Sequence, residues 1–533
     1  MIRRSLAIFA LWSVAFAGVT PAKDATALAR KLPRAQSQRL SRGVERLSAT
    51  GFVSGVPSLR IPSLVMADPS TSIAPPSAVA ASWDGATAFA YGAALGKSAR
   101  ANGADVLALP LGVYGTSPLL AARLAPGLVR GVQSAHVVAA VVGRSGGGTD
   151  ARTLHERDLP AVEAAIRNGA GAVACSSRGG RRSSLCANRR LLAAILTREL
   201  RFFGFAIGNP YGNLTTPSRI VSTLSRVGTL AHPPRLGASV ATTALSRRIV
   251  QNGAVLLKND ASVLPLDPAT LTSLALIGAD SSTQAAVTAV LPRTKVLAVD
   301  ARDPAAAAAA ARHAQAAIVV VGPADPAQGP LIAAVAAANP RTAAVLERSS
   351  AIAPDWVGSA PGLLLVWAST PGTPRAVANL IVGASNPCGK LPFGLAAADG
   401  STAFAFGAGL SYAAFAYSRL TVSYARGVDP HPVTVHFTIR NTGKVGGTEV
   451  AQLYLRAPAG GAGPAKGLVG FVRLALRPGQ SRSLSIPLAA RSFATWSPAY
   501  KAWYVAPGTY AAMVGGGSGS IRLTGAIQIV GRS

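Results

Sequence analysis

The hydrophobic side chains keep one rhythm up to about residue 400 and another beyond it, so no single layer type can accommodate the whole chain. At Val433, Val435, Phe437 and Ile439 apolar residues recur at every second position, opposite Thr434, His436, Thr438 and Arg440. That alternation turns one face of a strand inward and the other outward. Strand-like runs at 449–456, 481–488 and 509–514 are separated by Gly and Pro turns, as in a small β-sandwich, and 460–463 reads as a flexible loop.

The earlier region has the opposite character. Between residue 23 and about residue 235, apolar runs at 105–109 and 137–142 predict buried parallel strands, while 87–101 and 159–168 carry helical periodicity. A second α/β unit starts with a helix over 239–252. Strands follow at 273–278, 316–322, 343–346 and 362–367, with an Ala-rich helix at 304–315. Strands separated by single helices predict an open, mostly parallel sheet.

A chain of 533 residues is long enough for two to four domains, and 49% apolar content argues against wholesale disorder. Arg3 and Arg4, the apolar run 6–16 and small residues at Ala15, Ala17 and Ala22 follow the order of a secretory signal, predicting an exported protein, periplasmic or extracellular. An uncleaved anchor is the alternative, although the run is short for a membrane span. Three Cys make no disulfide framework; Cys175 and Cys186 are near enough in sequence to pair after export, leaving Cys388 single. Six scattered His and no Cys or His cluster give a metal site no support, and no cofactor is implied.

The formal charge of +31 arises from 52 Lys and Arg against 21 Asp and Glu. Such a field attracts anionic polymers or a membrane surface in a salt-dependent way. The basic residues are nevertheless spread along the chain, in pairs no longer than Arg181-Arg182 and Arg189-Arg190, with no aromatic-interleaved stripe. Nucleic acid is therefore a poor partner. Compositional bias is the alternative source of the charge. Oligomeric state is left open.

Three strings carry a family resemblance: GAVLLKND from Gly253 followed by Leu264-Pro265-Leu266, NPCGKLP from Asn386, and FAFGAGLSY from Phe404. They resemble the family 3 glycoside hydrolases, the β-glucosidase and β-xylosidase group. RNTGKVGGTEVAQLYL from Arg440, GFVRLAL from Gly470 and PGTY from Pro507 extend the likeness to the C-terminal region. The resemblance implies a barrel-like domain carrying a nucleophilic Asp, then an α/β sandwich, then a fibronectin type III-like domain. On that basis the chain divides into a signal peptide (1–22), a truncated barrel-like domain (23–235), an α/β sandwich (236–400), a linker (401–425) and a fibronectin type III-like domain (426–533). Lys258 and Lys390 lie in the architectural strings and are expected to serve packing or domain contacts.

The sugar-cutting residues follow the family less well. Retaining glycosidases need two carboxyl groups about 5–5.5 Å apart, one attacking the anomeric carbon and one shuttling a proton. The family's nucleophile lies in a Ser-Asp-Trp strand end; the matching FAIGNPYG from Phe205 places Asn209 there. An amide carries no negative charge for an oxocarbenium-like transition state and is a far weaker nucleophile. The family's Lys-His-Phe is replaced by Val142, Gly143 and Arg144, its Arg-Asn-Phe-Glu segment is absent between Leu109 and Pro118, and the acid/base loop is reduced to GPADPAQGP with Asp325 its single acid. Few residues separate Asn209 from Arg219, so the last barrel units are expected to be missing. What the resemblance leaves is a β-glucosidase-like protein that binds or acts on β-linked carbohydrate, with retaining hydrolysis lost or impaired. An active glycosidase using a non-standard carboxylate, and a non-catalytic scaffold for anionic polymers, are the alternatives.

Single positions carry double readings. GVPSLRIPSLVMAD from Gly55 resembles the segment ending in a sugar-binding Asp, so Asp68 is a substrate-binding candidate; equally it is the acid of a turn at Pro69. Trp367 is a candidate for stacking on a sugar ring, or a core residue at a strand end. Asp150 is expected to cap the helix after it rather than to do acid chemistry. The run from Gly143 to Gly147 matches a nucleophile elbow formally, but the glycines after it favour a loop.

Overall fold

The computed structural model describes residues 73–142, 150–174, 194–207, 216–232, 241–322, 328–347, 355–367, 370–397, 400–424, 433–458 and 466–530. It also describes the short strands at 44–45, 51–53 and 64–67 and positions 27 and 237.

The first unit is a seven-stranded sheet in sequential order: β1 (Val44–Glu45), β2 (Gly51–Val53), β3 (Leu64–Ala67), β4 (Val106–Pro110), β5 (Val138–Val142), β6 (Ala172–Ala174) and β7 (Phe205–Ile207). β1 to β3 pair antiparallel, and β3 to β7 pair parallel. Among the described residues β7 pairs with β6 alone, so the sheet stays an open half-barrel, as the shortened sequence predicts. The helices Gly85–Ala101 and Pro118–Gln133 cover it and start where capping chemistry demands. Asp84 accepts from the N–H groups of Ala86 and Thr87, and Ser117 precedes a Pro at the first helical position.

The second unit is a six-stranded sheet in the order β10 (Lys295–Val299), β9 (Ser273–Ile277), β11 (Ala316–Val321), β12 (Thr342–Glu347), β13 (Gly362–Val366), β8 (Val255–Asn259). All its pairings are parallel except that of β8. Every residue of β11 is buried, because helices pack on both faces of a parallel sheet.

The third unit is a two-layer sandwich. β16 (Phe415–Tyr424), β17 (Val433–Asn441) and β20 (Ser481–Leu488) form one layer, and β19 (Gly467–Leu476), β18 (Gly447–Arg456), β23 (Gly508–Gly517) and β24 (Ser520–Ile529) the other. Both inner faces meet around Val435, Phe437, Leu453 and Val514. Residues 401–425, read from the sequence as a linker, are corrected here. β15 (Thr402–Phe404) pairs with β14 (Leu395–Ala396), and β16 is an outer sandwich strand with Phe415, Tyr417, Leu420 and Val422 packed on the core.

A dense seam joins the three units, and the architectural strings build it. A Cβ on Gly253 would lie 2.3 Å from Ala78 O, one on Gly389 2.5 Å from Gly253 O, and one on Gly409 2.4 Å from Gly389 O. Backbones from four segments, at Ala78, Gly253, Gly389 and Gly409, thus touch where only glycine fits. Lys390 N donates to Ala81 O (2.9 Å), Trp83 Nε1 to Lys390 O (3.0 Å), and Asn386 Oδ1 accepts from Ser411 Oγ and Tyr412 N (both 2.9 Å). At the centre Lys390 Nζ donates to Gly409 O (2.7 Å) and pairs with Glu449 Oε1 (3.2 Å), their side chains 4% and 6% exposed. Tyr417 OH donates to the same carboxylate (2.9 Å). Burial, then the charge and hydrogen bond of Glu449, push the Tyr417 phenol far up, so it stays a neutral donor.

Candidate functional site

The parallel strands of the half-barrel end together. Pro110 pairs with Val142, Val142 with Ala174 and Ala174 with Ile207, so one row of partners crosses the carboxyl edge from β4 to β7. In barrel-type sheets that edge supplies the reacting groups. Asp68 follows the last residue of β3, and Asn209 comes two residues after the end of β7. Asp68 and Asn209 themselves lie outside the described residues, as do Asp325, residues 143–147, Cys175 and Cys186.

Trp367 is described, and it is core. Its indole is 0% exposed, donates from Nε1 to Gly253 O (2.7 Å) and meets Phe393 edge-on at 5.5 Å. No ring face is open for a sugar, which corrects the substrate-binding assignment. The reason is positional: Trp367 directly follows a strand buried on both faces and lies behind the glycine seam. Asp150 caps as expected, accepting from Thr153 N (3.0 Å) and Thr153 Oγ1 (2.6 Å). Those bonds hold its carboxyl below the ordinary value. Lys258 bridges to Asp260 (3.0 Å) and donates to Gly358 O (3.0 Å), a local structural role like that expected.

The described carboxylates are mostly engaged in structure. Asp84, Asp280 and Asp303 cap helices; Asp158, Glu163, Asp260 and Glu449 are in ion pairs; Glu156 accepts from Trp496 N (2.6 Å). Asp105 differs. Burial pushes its carboxyl up to about 6 against the hydrogen bond from Val65 N and the charge of Arg100, and its Oδ1 has no partner. It precedes β4, though, at the end of the sheet opposite the carboxyl edge, where barrel residues serve stability. Among the described residues no group of three His, Cys, Asp or Glu could hold a metal ion.

A contact that periodicity could not announce links sandwich to half-barrel. The hairpin of β21 (Ala494–Ser497) and β22 (Ala502–Val505) lays Trp496 flat on His155, centroids 3.6 Å apart, while Arg152 Nε donates to Trp496 O (3.0 Å). Arg491 stacks on Trp503 at 3.3 Å.

With this geometry in view, residues 254–412 match the glycosyl hydrolase family 3 C-terminal domain and residues 449–518 a fibronectin type III-like domain. The chain is 32% identical over 250 residues to the β-glucosidase cel3A of Pyricularia oryzae, covering 38% of this chain and 34% of that protein. It is 30% identical over 306 residues to a probable β-glucosidase L of Aspergillus fumigatus, covering 44% of this chain and 41% of that protein. In sequence it thus spans about a third of the first of these relatives. In fold it is similar to the β-glucosidase D2-BGL of Chaetomella raphigera (TM-score 0.80, 22% identity, 95% of this chain and 99% of that chain). The β-glucosidase DesR of Streptomyces venezuelae, solved with D-glucose, is equally similar (TM-score 0.81, 20% identity, 95% and 99%). The open half-barrel, the parallel α/β sheet and the fibronectin-like sandwich are thus the fold of these β-glucosidase structures, and residues 254–412 carry the glycosyl hydrolase family 3 C-terminal domain.

Proposed function

We propose that this chain binds β-linked carbohydrate at the carboxyl edge of its half-barrel, and that retaining hydrolysis of the β-glucosidase type is lost or strongly impaired. The observation that carries this reading is Asn209, an amide two residues past the end of β7, where the family resemblance calls for the nucleophilic carboxylate. A neutral amide removes both the covalent route and the negative charge that stabilises an oxocarbenium-like transition state. The structural engagement of most described carboxylates supports it, since few remain as replacements. Asp68, one residue past β3, is the hydroxyl-accepting group of the proposed site.

A panel of chromogenic aryl β-glycosides, run on wild type, Asn209→Asp and Asp68→Ala, tests the reading. Expected is turnover close to the buffer rate in all three. Asn209→Asp alone rescues little, because the residues near Val142 and the acid/base loop depart from the family too, and groups acting as a unit do not add. Robust wild-type turnover abolished by Asp68→Ala would overturn it and favour a glycosidase using a non-standard carboxylate. Export is part of the same proposal, from Arg3, Arg4 and the apolar run after them. Recovery outside the cytoplasm of a chain starting near residue 23 supports it; intact protein retained inside the cell counts against it.

A further inference from the structure

A polar cleft away from the carboxyl edge of the half-barrel lies between the second unit and the sandwich. It has a volume of about 510 Å³, within the range of small-molecule sites, and among the described residues none of the half-barrel lines it. Its lining is chemically one-sided. Among the described residues Arg473 and Arg477 supply two cations, the rest of the polar lining is neutral amide, hydroxyl and thiol, and no Asp or Glu contributes.

The polar groups are held in place with capacity to spare. Gln251 Nε2 donates to Ser385 Oγ (2.9 Å) and Asn252 Nδ2 to Thr87 Oγ1 (3.2 Å), which orients each amide while its oxygen has no side-chain partner among the described residues. Gln480 Oε1 accepts from Arg477 N (2.9 Å), fixing that side chain and leaving its NH2 group for a ligand. Arg473 Nη2 donates to Cys388 Sγ (3.3 Å), a weak acceptor, and the buried Arg473 Nε has no partner. Among the described residues neither arginine forms an ion pair. Asp84 feels the charge of Arg473 but does not line the cleft. A buried guanidinium N–H without an acceptor costs more than an exposed one, so an incoming anion gains there.

We propose that this cleft is a binding site for a small hydroxylated anion, a sugar acid or sugar phosphate. Arg473 and Arg477 engage the acidic group, and the side chains of Gln251, Asn252, Thr448 and Gln480 engage the hydroxyls. The site is separate from the carboxyl edge of the half-barrel, and its occupancy does not depend on whether glycosides are cleaved.

Isothermal titration of the full chain at 150 mM salt, with glucuronate, glucose 6-phosphate, glucose and inorganic phosphate, tests this; that salt suppresses loose binding to the general positive field. Expected is binding of at least one anionic sugar at least tenfold tighter than glucose and inorganic phosphate, the tighter of the two identifying carboxylate or phosphate as the recognised group. Arg473→Gln with Arg477→Gln is expected to weaken it at least tenfold. Arg477→Glu, a change at an exposed position, is expected to do the same where the double variant fails to fold. Equal binding of glucose, equal binding of inorganic phosphate, no anionic sugar bound, or an affinity unmoved by Arg477→Glu would each overturn the proposal.

Discussion

The seam around Lys390 and the carboxyl edge of the half-barrel sit in one chain but obey different rules. At the seam, glycine contacts, a buried ion pair and cross-unit hydrogen bonds leave almost no freedom of substitution. At the edge, the strand row from Pro110 to Ile207 is in place, while the residue two positions past its end is an amide where the family resemblance calls for an acid. The contrast shows that architecture and chemistry are separable: packing constraints preserve a fold whether or not its site still reacts.

The largest expected effect lies at the seam. Lys390→Met strands Glu449 without its cation in a buried place and is expected to cost about 3–5 kcal/mol of unfolding free energy. Lys390→Met with Glu449→Leu is expected to cost less than the single change, since no uncompensated charge remains. Denaturant titration of both variants checks this; equal or greater loss in the double variant would mean that the ion pair is not what holds the seam.

Gly389→Ala comes next, at about 1–3 kcal/mol from overpacking, because the new Cβ would lie 2.5 Å from Gly253 O. A wild-type melting profile would show that the backbones can part freely. Asp105→Asn then sharpens the contrast between the two ends of the half-barrel. Because the folded carboxyl is raised to about 6 from 3.8, the folded state keeps a proton that the unfolded chain has already released. Stability should therefore fall as pH rises from about 4 to about 6, and the variant, which does not titrate, should lack that fall. The difference is expected to reach up to about 2 kcal/mol after allowance for solvent screening. A wild-type minus variant difference that stays flat across that window would contradict the shift. Smallest is Arg152→Ala at the hairpin contact, within about 1 kcal/mol because the side chain is 41% exposed. A loss well beyond that would give the docked hairpin a larger share in holding the units together.

The same division governs what the sequence discloses. β11 is legible because a run of Ala, Ile and Val must be buried on both faces, whereas β10 escapes because Lys295 and Ala298 are exposed on an edge strand. The alternation of 433–439 gives β17 directly, but β16 hides behind a mixed pattern whose partners are visible only in the sheet. Asp150 as a cap is local and readable. Trp367 could be read two ways, since its burial depends on Gly253, more than a hundred residues earlier. Lys390 could be assigned to the architecture, yet its partners Glu449 and Gly409 come from tertiary packing that no period encodes. The cleft at Arg473 is equally hidden, because its lining comes from segments far apart in the chain.

The most direct measurement of whether architecture has outlived the double-displacement chemistry is covalent trapping. A retaining glycosidase attacks a 2-deoxy-2-fluoroglucoside bearing a good leaving group and holds the fluorosugar as an ester on its nucleophilic carboxylate. Intact-mass spectrometry of the wild-type chain after such incubation is expected to show the unmodified mass, because Asn209 offers no carboxylate to esterify. A stoichiometric fluoroglucosyl adduct, mapped to any Asp or Glu, would contradict the loss of the nucleophile and establish a working retaining site.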